Sequence, residues 1–288
     1  MITRRDILAL ALAAACAAPA EAASAQRTLK AIHKRIGGRL GVHILDSQSG
    51  RRIGHDDDSR YAMASTFKLP LAAALLWQVD HGAFPLTRTL PVGKDDLLPH
   101  SPVVEARVKE GATEISIADL CGAVVVHSDN AAANVLLEGM GGPRAFTQFM
   151  RSIGDKTTRL DRMELDLNSN VPGDERDTTT PRAMVDSLLR IFTQDVLSLA
   201  ARAMLIDWMA TSRTGLDRVR AGLPRSWPSG DKTGTGANGA VNDLCLVYPP
   251  DRRPIFVAVY TSGSTLDVKT LCAAHAEIGE LVAHEKWR

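Results

Sequence analysis

Strand-forming sequence sits at the two ends of this chain, and that placement constrains the fold more than any other feature. Near the start, "RLGVHILD", "SQSG" and "RRIGH" read as a strand, a tight turn and a second strand. Near the end, "VNDLCLVYPP", "DRRP" and "IFVAVYTSG" read as a second hairpin, with Pro249 and Pro250 opening its turn. Between them the pattern is helical: Lys68 to Gln78, "SIADLCGAVVVHS", "DNAAANVLLEGMGG", "PRAFTQFMRSIG", "PRAMVDSLLRIFT" and "VLSLAARAMLIDWMA". A further helix is expected at each terminus, in "TLKAIHKRIGG" and "LDVKTLCAAHAEIGELVAHEKW". This order fits a discontinuous α/β lobe, residues 26–64 and 211–288, enclosing an all-helical lobe over 65–210, better than two consecutive domains.

The length of 288 residues and the 45% hydrophobic content suffice for such a core. Thirty-four Lys and Arg balance 33 Asp and Glu, so no net field favours nucleic acid or a membrane surface. Residues 1–25 read as an export signal, with a charged start, an apolar run over Ile7 to Ala18 and a small-residue end, cleaved near Ala25. The arginine pair in "TRRDIL" fits either an ordinary signal or a twin-arginine one. Stable membrane association is not expected, because no later segment approaches spanning length. Cleavage leaves Cys121, Cys245 and Cys272, widely spaced and without metal-site spacing, so buried free thiols are expected and no metal.

The helical region is interrupted at 159–181 by "RLDRMELDLNSNVPGDERDTTTP", whose mixed charges suggest a compact, functional loop. In "STFK", Lys68 stands one turn beyond Ser65 on the same helix face, where an amine reaches the hydroxyl and makes it a nucleophile. Taken alone, Ser-x-x-Lys is more readily a helix cap beside a solvated lysine. The order adds weight: "SDN" at Ser128 to Asn130, the Glu164 to Asn168 stretch, then "KTG" at Lys232 to Gly234.

Over essentially the whole exported chain the sequence resembles the class A serine β-lactamases, through "MASTFK", "HSDNAAAN", "DRMELDLN", "PGDERDTTTP", "TGLDRVRAGLP" and "GDKTGTG". The resemblance implies an α/β two-lobed fold, with an antiparallel five-stranded sheet flanked by the terminal helices and an active site between the lobes. It implies that Ser65 attacks the lactam carbonyl while Lys68 helps take its proton, and that Ser128 passes a proton to the departing nitrogen. Lys232, Thr233 and Gly234 would receive the substrate carboxylate, and backbone N–H groups of Ser65 and Thr235 would form the oxyanion hole. Asn130 would hold the acylamide arm, while Glu164 and Asn168 would activate and orient the deacylating water. Arg162 and Asp177 would pair to close the loop's neck.

Departures from the family pattern carry information too. No arginine follows "KTG" on its strand, and Arg218 is assigned to the substrate carboxylate instead, with Arg220 beside it expected to be an exposed helix charge. Cys121 lacks the partner cysteine of some members, and Ala64 and Gly236 replace the cysteine pair of certain carbapenem-hydrolysing ones. His100 falls where an aromatic wall is usual. The expected substrate is a small β-lactam and the expected state a monomer without cofactor. Cell-wall peptidases share the three motifs but lack the Glu164 and Asn168 pair, and a lactam sensor would need a membrane tether.

Overall fold

The structure is a computed structural model that describes residues 24–287. Most of the expected export signal, residues 1–23, lies outside the described residues. Helix α1 covers residues 24–36. There follow β1 (Arg39–Asp46), β2 (Arg52–His55), β3 (Tyr61–Ala62), α2 (Lys68–Asp80), β4 (Thr89–Pro91), α3 (Pro102–Lys109), β5 (Glu114–Ser116) and α4 (Ile117–Gly122). The chain continues through α5 (Asn130–Met140), α6 (Gly142–Ser152), β6 (Thr178–Thr179), α7 (Pro181–Thr193) and α8 (Leu199–Ala210). It closes with β7 (Ser229–Thr235), β8 (Val241–Val247), β9 (Ile255–Ser262) and α9 (Val268–His284).

The two terminal hairpins meet as expected. Strands β2-β1-β9-β8-β7 form one five-stranded sheet, antiparallel throughout, with β1 pairing along its full length with β9. Alternate residues of β9 serve different cores: Ile255, Val257 and Val259 face α1 and α9, whereas Phe256, Ala258 and Tyr260 join the core of the helical body. Covering both faces explains why β8 and β9 read as continuous apolar runs instead of alternating ones. The helical lobe therefore has no separate core of its own; it closes over the inner face of the sheet.

Helix α2 runs through the middle of that body. Residues Lys68 to Leu76 are all buried, as a helix apolar on every side requires. Pro70 falls in its first turn, where a missing N–H leaves no hydrogen bond unmade. The stretch "SIADLCGAVVVHS" departs from a single helix. It is α4 followed by a wider π turn over Ala123–His127, which ends with Ser128 at φ 58°. All three thiols, Cys121, Cys245 and Cys272, are buried and free.

Candidate active site

Ser65 lies in the 3-10 turn Ala64–Phe67 that leads into α2, and Lys68 is the first residue of the helix proper. Lys68 Nζ donates to Ser65 Oγ at 3.0 Å and also lies 2.9 Å from Glu164 Oε1, 2.9 Å from the Ser128 carbonyl and 2.5 Å from Asn130 Oδ1. The turn is held from two sides. Asn242 on β8 donates to the carbonyls of Ala62 and Met63, at 2.9 and 3.1 Å, and Met63 N–H donates to the Asp177 carbonyl at 2.9 Å. Ala64, just before Ser65, sits at φ 43°, a strained value for a residue with a side chain.

The "SDN" turn is locked by its middle residue. Asp129 Oδ1 caps α5 through Ala132 N–H at 2.9 Å, while Oδ2 accepts Val103 and Val104 N–H at the start of α3. Asn130 Nδ2 donates to the Pro99 carbonyl at 2.7 Å, which orients the amide so that its oxygen faces Lys68. His100, exposed and at φ 60°, bonds the His127 carbonyl through Nε2 at 2.9 Å and lines the cleft from this side.

Strand β7 forms the opposite wall. Lys232 Nζ donates to Ser128 Oγ at 2.9 Å, and Thr233 Oγ1 donates to Thr214 Oγ1 at 2.7 Å. At Gly234 a β-carbon would lie 2.8 Å from the Met63 carbonyl and 3.1 Å from Ser65 N, so only glycine lets the strand approach the backbone of Ser65. Arg218, buried, lies beneath this strand. Its Nη1 donates to the carbonyls of Gly234 and Asn242, and its Nη2 to Thr235 Oγ1 at 2.7 Å. Arg220 corrects the expectation of a free helix charge: it is largely buried in a short 3-10 turn, 3.6 Å from the fully buried Asp231.

The 159–181 loop brings the carboxylate. Arg162 Nε meets Asp177 Oδ2 at 2.5 Å, and Asp177 Oδ1 accepts the N–H groups of Asp161 and Arg162, so one buried carboxylate gathers the neck. Asn134 on α5 then brackets Glu164, its Oδ1 accepting Glu164 N–H and its Nδ2 donating to the Glu164 carbonyl, both at 2.9 Å. Asn168, in the 3-10 turn Asp166–Asn168, donates to Glu164 Oε2 at 2.6 Å, and Ser65 Oγ stands 3.4 Å from Oε1.

The electrostatics follow from burial. Desolvation draws the Lys68 ammonium below the ordinary lysine range, against the pull of Glu164. Lys232 is pushed well below it, first by burial and then by the Lys68 charge. On the adjoining face of β7 and β8, burial raises the pKa values of Asp231 and Asp243, the latter well above a free carboxylate.

The cleft encloses about 550 Å³ and is lined by Ser65, His100, Ser128, Asn130, Asn168, Thr233, Gly234, Thr235 and Arg218, with Leu165 and Thr214. Lys68, Glu164 and Lys232 are buried just behind that surface. Sequence reasoning missed Asn134, Thr214, Leu165 and Asn242. Asn134 was detectable, since it stands four residues after Asn130 and so on the same face of α5. No group of metal-ligating side chains occurs among the described residues.

Fold and cleft together define a serine-hydrolase class with a lysine and a carboxylate beside Ser65. The chain belongs to the β-lactamase enzyme family, whose sequence model matches residues 24–285. It is 41% identical over 269 residues to β-lactamase L2 of Stenotrophomonas maltophilia, covering 93% of this chain and 88% of that one. It is 44% identical over 239 residues to the carbapenem-hydrolysing β-lactamase KPC of Klebsiella oxytoca, covering 83% and 80%. Among solved structures, an ancestral class A β-lactamase superposes with a TM-score of 0.87 at 50% identity, covering 90% and 98% of the two chains. A β-lactamase from Xanthomonas campestris gives 0.89 at 42% identity, covering 92% and 98%.

Proposed function

We propose that this protein hydrolyses β-lactam antibiotics through an acyl-enzyme on Ser65 and so confers resistance to them. One observation carries the mechanism: Lys68 Nζ stands 3.0 Å from Ser65 Oγ and 2.9 Å from Glu164 Oε1, linking the nucleophile to two proton acceptors. Lys68, its basicity lowered by burial, takes the serine proton as Oγ bonds the lactam carbon. The carbon–nitrogen bond then breaks, and Ser128, its hydroxyl held by Lys232, delivers a proton to the nitrogen, while the proton that Lys68 took from Ser65 replaces it on the Ser128 oxygen. Backbone N–H groups of Ser65 and Thr235 stabilise the oxyanion. Glu164 then takes a proton from a water held with Asn168, and the water's oxygen bonds the acyl carbon. The carbon–Oγ bond breaks, and Glu164, whose Oε1 lies 3.4 Å from Ser65 Oγ, returns the proton to the serine.

The substrate carboxylate lies against Lys232, Thr233 and the Thr235 hydroxyl, which Arg218 orients. Asn130 and His100 flank the acylamide side. The protein works as an exported monomer without cofactor, in the periplasm or secreted, after cleavage near Ala25. No helix among the described residues is long and apolar enough to cross a membrane.

Glu164→Ala separates this reading from a cell-wall peptidase or a sensor. Intact-mass spectrometry after mixing with a penicillin is expected to show a lasting adduct on the variant and none on the parent at steady state. A long-lived adduct on the parent would mean that the water-activating half does not work.

A further inference from the structure

A second cleft, of about 520 Å³, opens between the start of α6 and the base of the 159–181 loop. Its wall carries Arg60, Arg144, Arg151 and Arg159 against a single carboxylate, Asp161. In a chain with near-equal numbers of basic and acidic residues this is a marked local excess of positive charge. The carboxylate is already engaged: Arg159 takes it through Nε at 2.9 Å and Nη2 at 2.6 Å, and it also accepts Asp177 N–H at 3.1 Å.

Two of the guanidinium groups are fixed in place by hydrogen bonds through Nη1, mostly to backbone carbonyls. Arg60 Nη1 donates to the Thr157 carbonyl and Thr178 Oγ1, both at 3.0 Å, and Arg151 Nη1 donates to the Asp155 and Thr158 carbonyls at 2.6 and 2.7 Å. Of the further acids nearby, Glu175 is exposed and 3.9 Å from Arg60, and Asp177 is held by Arg162 at 2.5 Å. Arg144 makes no hydrogen bond or ion pair among the described residues. It sits in the first turn of α6, where Gly141 supplies no side-chain cap, so the helix end adds unmatched N–H groups of the same sign.

We propose that this cleft binds a phosphate-type anion carrying two or more negative charges. Guanidinium groups arriving from three separate stretches of chain call for oxygens pointing in several directions. A tetrahedral phosphate supplies these, whereas one planar carboxylate is satisfied by one fork. The bound anion joins α6 to both ends of the loop, since Arg159 and Asp161 begin it and Arg60 holds Thr178 near its close. It therefore braces the segment that carries Glu164.

The test is calorimetric titration of the purified protein with inorganic pyrophosphate at physiological salt. Saturable binding with a dissociation constant of about 1 mM or tighter is expected. Arg144→Glu is expected to weaken it by about tenfold or more, with Arg144→Lys recovering part of the loss. Both variants should keep the parent's melting temperature and lactam turnover, because Arg144 is exposed and outside the catalytic cleft. Competition by phosphatidylglycerol vesicles would identify a lipid headgroup as the source of the phosphate, and its absence a free anion; the site stands in both cases. No saturable binding, equal binding by Arg144→Glu, or displacement of pyrophosphate by a lactam would overturn the proposal.

Discussion

Arg218 and Arg220 lie two residues apart and do different work. Arg218 lines the cleft and donates to Thr235 Oγ1 through Nη2, while its Nη1 is taken by the carbonyls of Gly234 and Asn242. Arg218→Ala should therefore release that hydroxyl. A charge-assisted hydrogen bond is worth about 1.5–3 kcal/mol, so kcat/KM for substrates with a ring carboxylate should fall about tenfold or more. Arg220→Ala instead removes the cation beside buried Asp231, so its loss should appear in thermal melting, with kcat/KM of the folded fraction near the parent's. Equal effects of the two changes on kcat/KM would place Arg218 outside substrate binding. Lys68 supplies a third test. Because burial lowers its pKa, the acylation rate should rise with pH through a point below the ordinary lysine range. Lys68→Arg, which stays protonated, should abolish that rise in stopped-flow measurements.

At the scale of elements, the loop neck and the inner strands store charge that folding has to accommodate. Arg162→Ala leaves the buried Asp177 carboxylate with backbone N–H groups alone, so deacylation should slow more than acylation; unchanged stopped-flow rates for both steps would remove the neck from the mechanism. Asp243 bears on stability against pH. Its folded pKa lies above the unfolded value, so its contribution is fully present below that unfolded value, near 3.8, and is lost as pH rises through the folded one. The melting temperature of the parent minus that of Asp243→Asn should accordingly fall as pH is raised from about 4 to 8. Lys68 and Lys232 act with the opposite sign but are common to both proteins, so they largely cancel in the difference. Element by element, β1, β8 and β9 were legible in the sequence because their apolar runs are bounded by turn residues, and β2 because it follows β1 across the tight turn in "SQSG". Strand β7 gave no such signal. Its "SGDKTGT" holds glycines where the backbone passes Met209 and Met63 too closely for a side chain, a constraint set by tertiary packing. Helix α3 was not legible either: it is short and mostly exposed, and its start depends on Asp129, distant in sequence.

For the whole molecule, the order of strands and helices along the chain already implied that the termini meet, whereas the way the outer layer supports the cleft did not follow from pattern. Helix α9 lies on the outer face of the sheet and touches the 3-10 turn Val219–Gly222 that directly follows Arg218. The contact is backbone against backbone: a β-carbon at Gly279 would overlap the Val219 carbonyl oxygen, and one at Gly222 the Ala276 carbonyl oxygen. Gly279→Ala should therefore force the two segments apart, at a cost of about 1–3 kcal/mol, read as a drop of several degrees in melting temperature. Because Arg218 precedes the displaced turn, Thr235 should lose its orientation, and kcat/KM for substrates with a ring carboxylate should fall with it. Ala273→Gly on the exposed side of α9 separates this from simple weakening, since it costs about 1 kcal/mol of helix stability without touching the turn. Measured well below both melting temperatures, Gly279→Ala should be impaired and Ala273→Gly should match the parent. Parent-like kcat/KM in a folded Gly279→Ala protein would show that the outer helix holds the sheet without setting the position of Arg218.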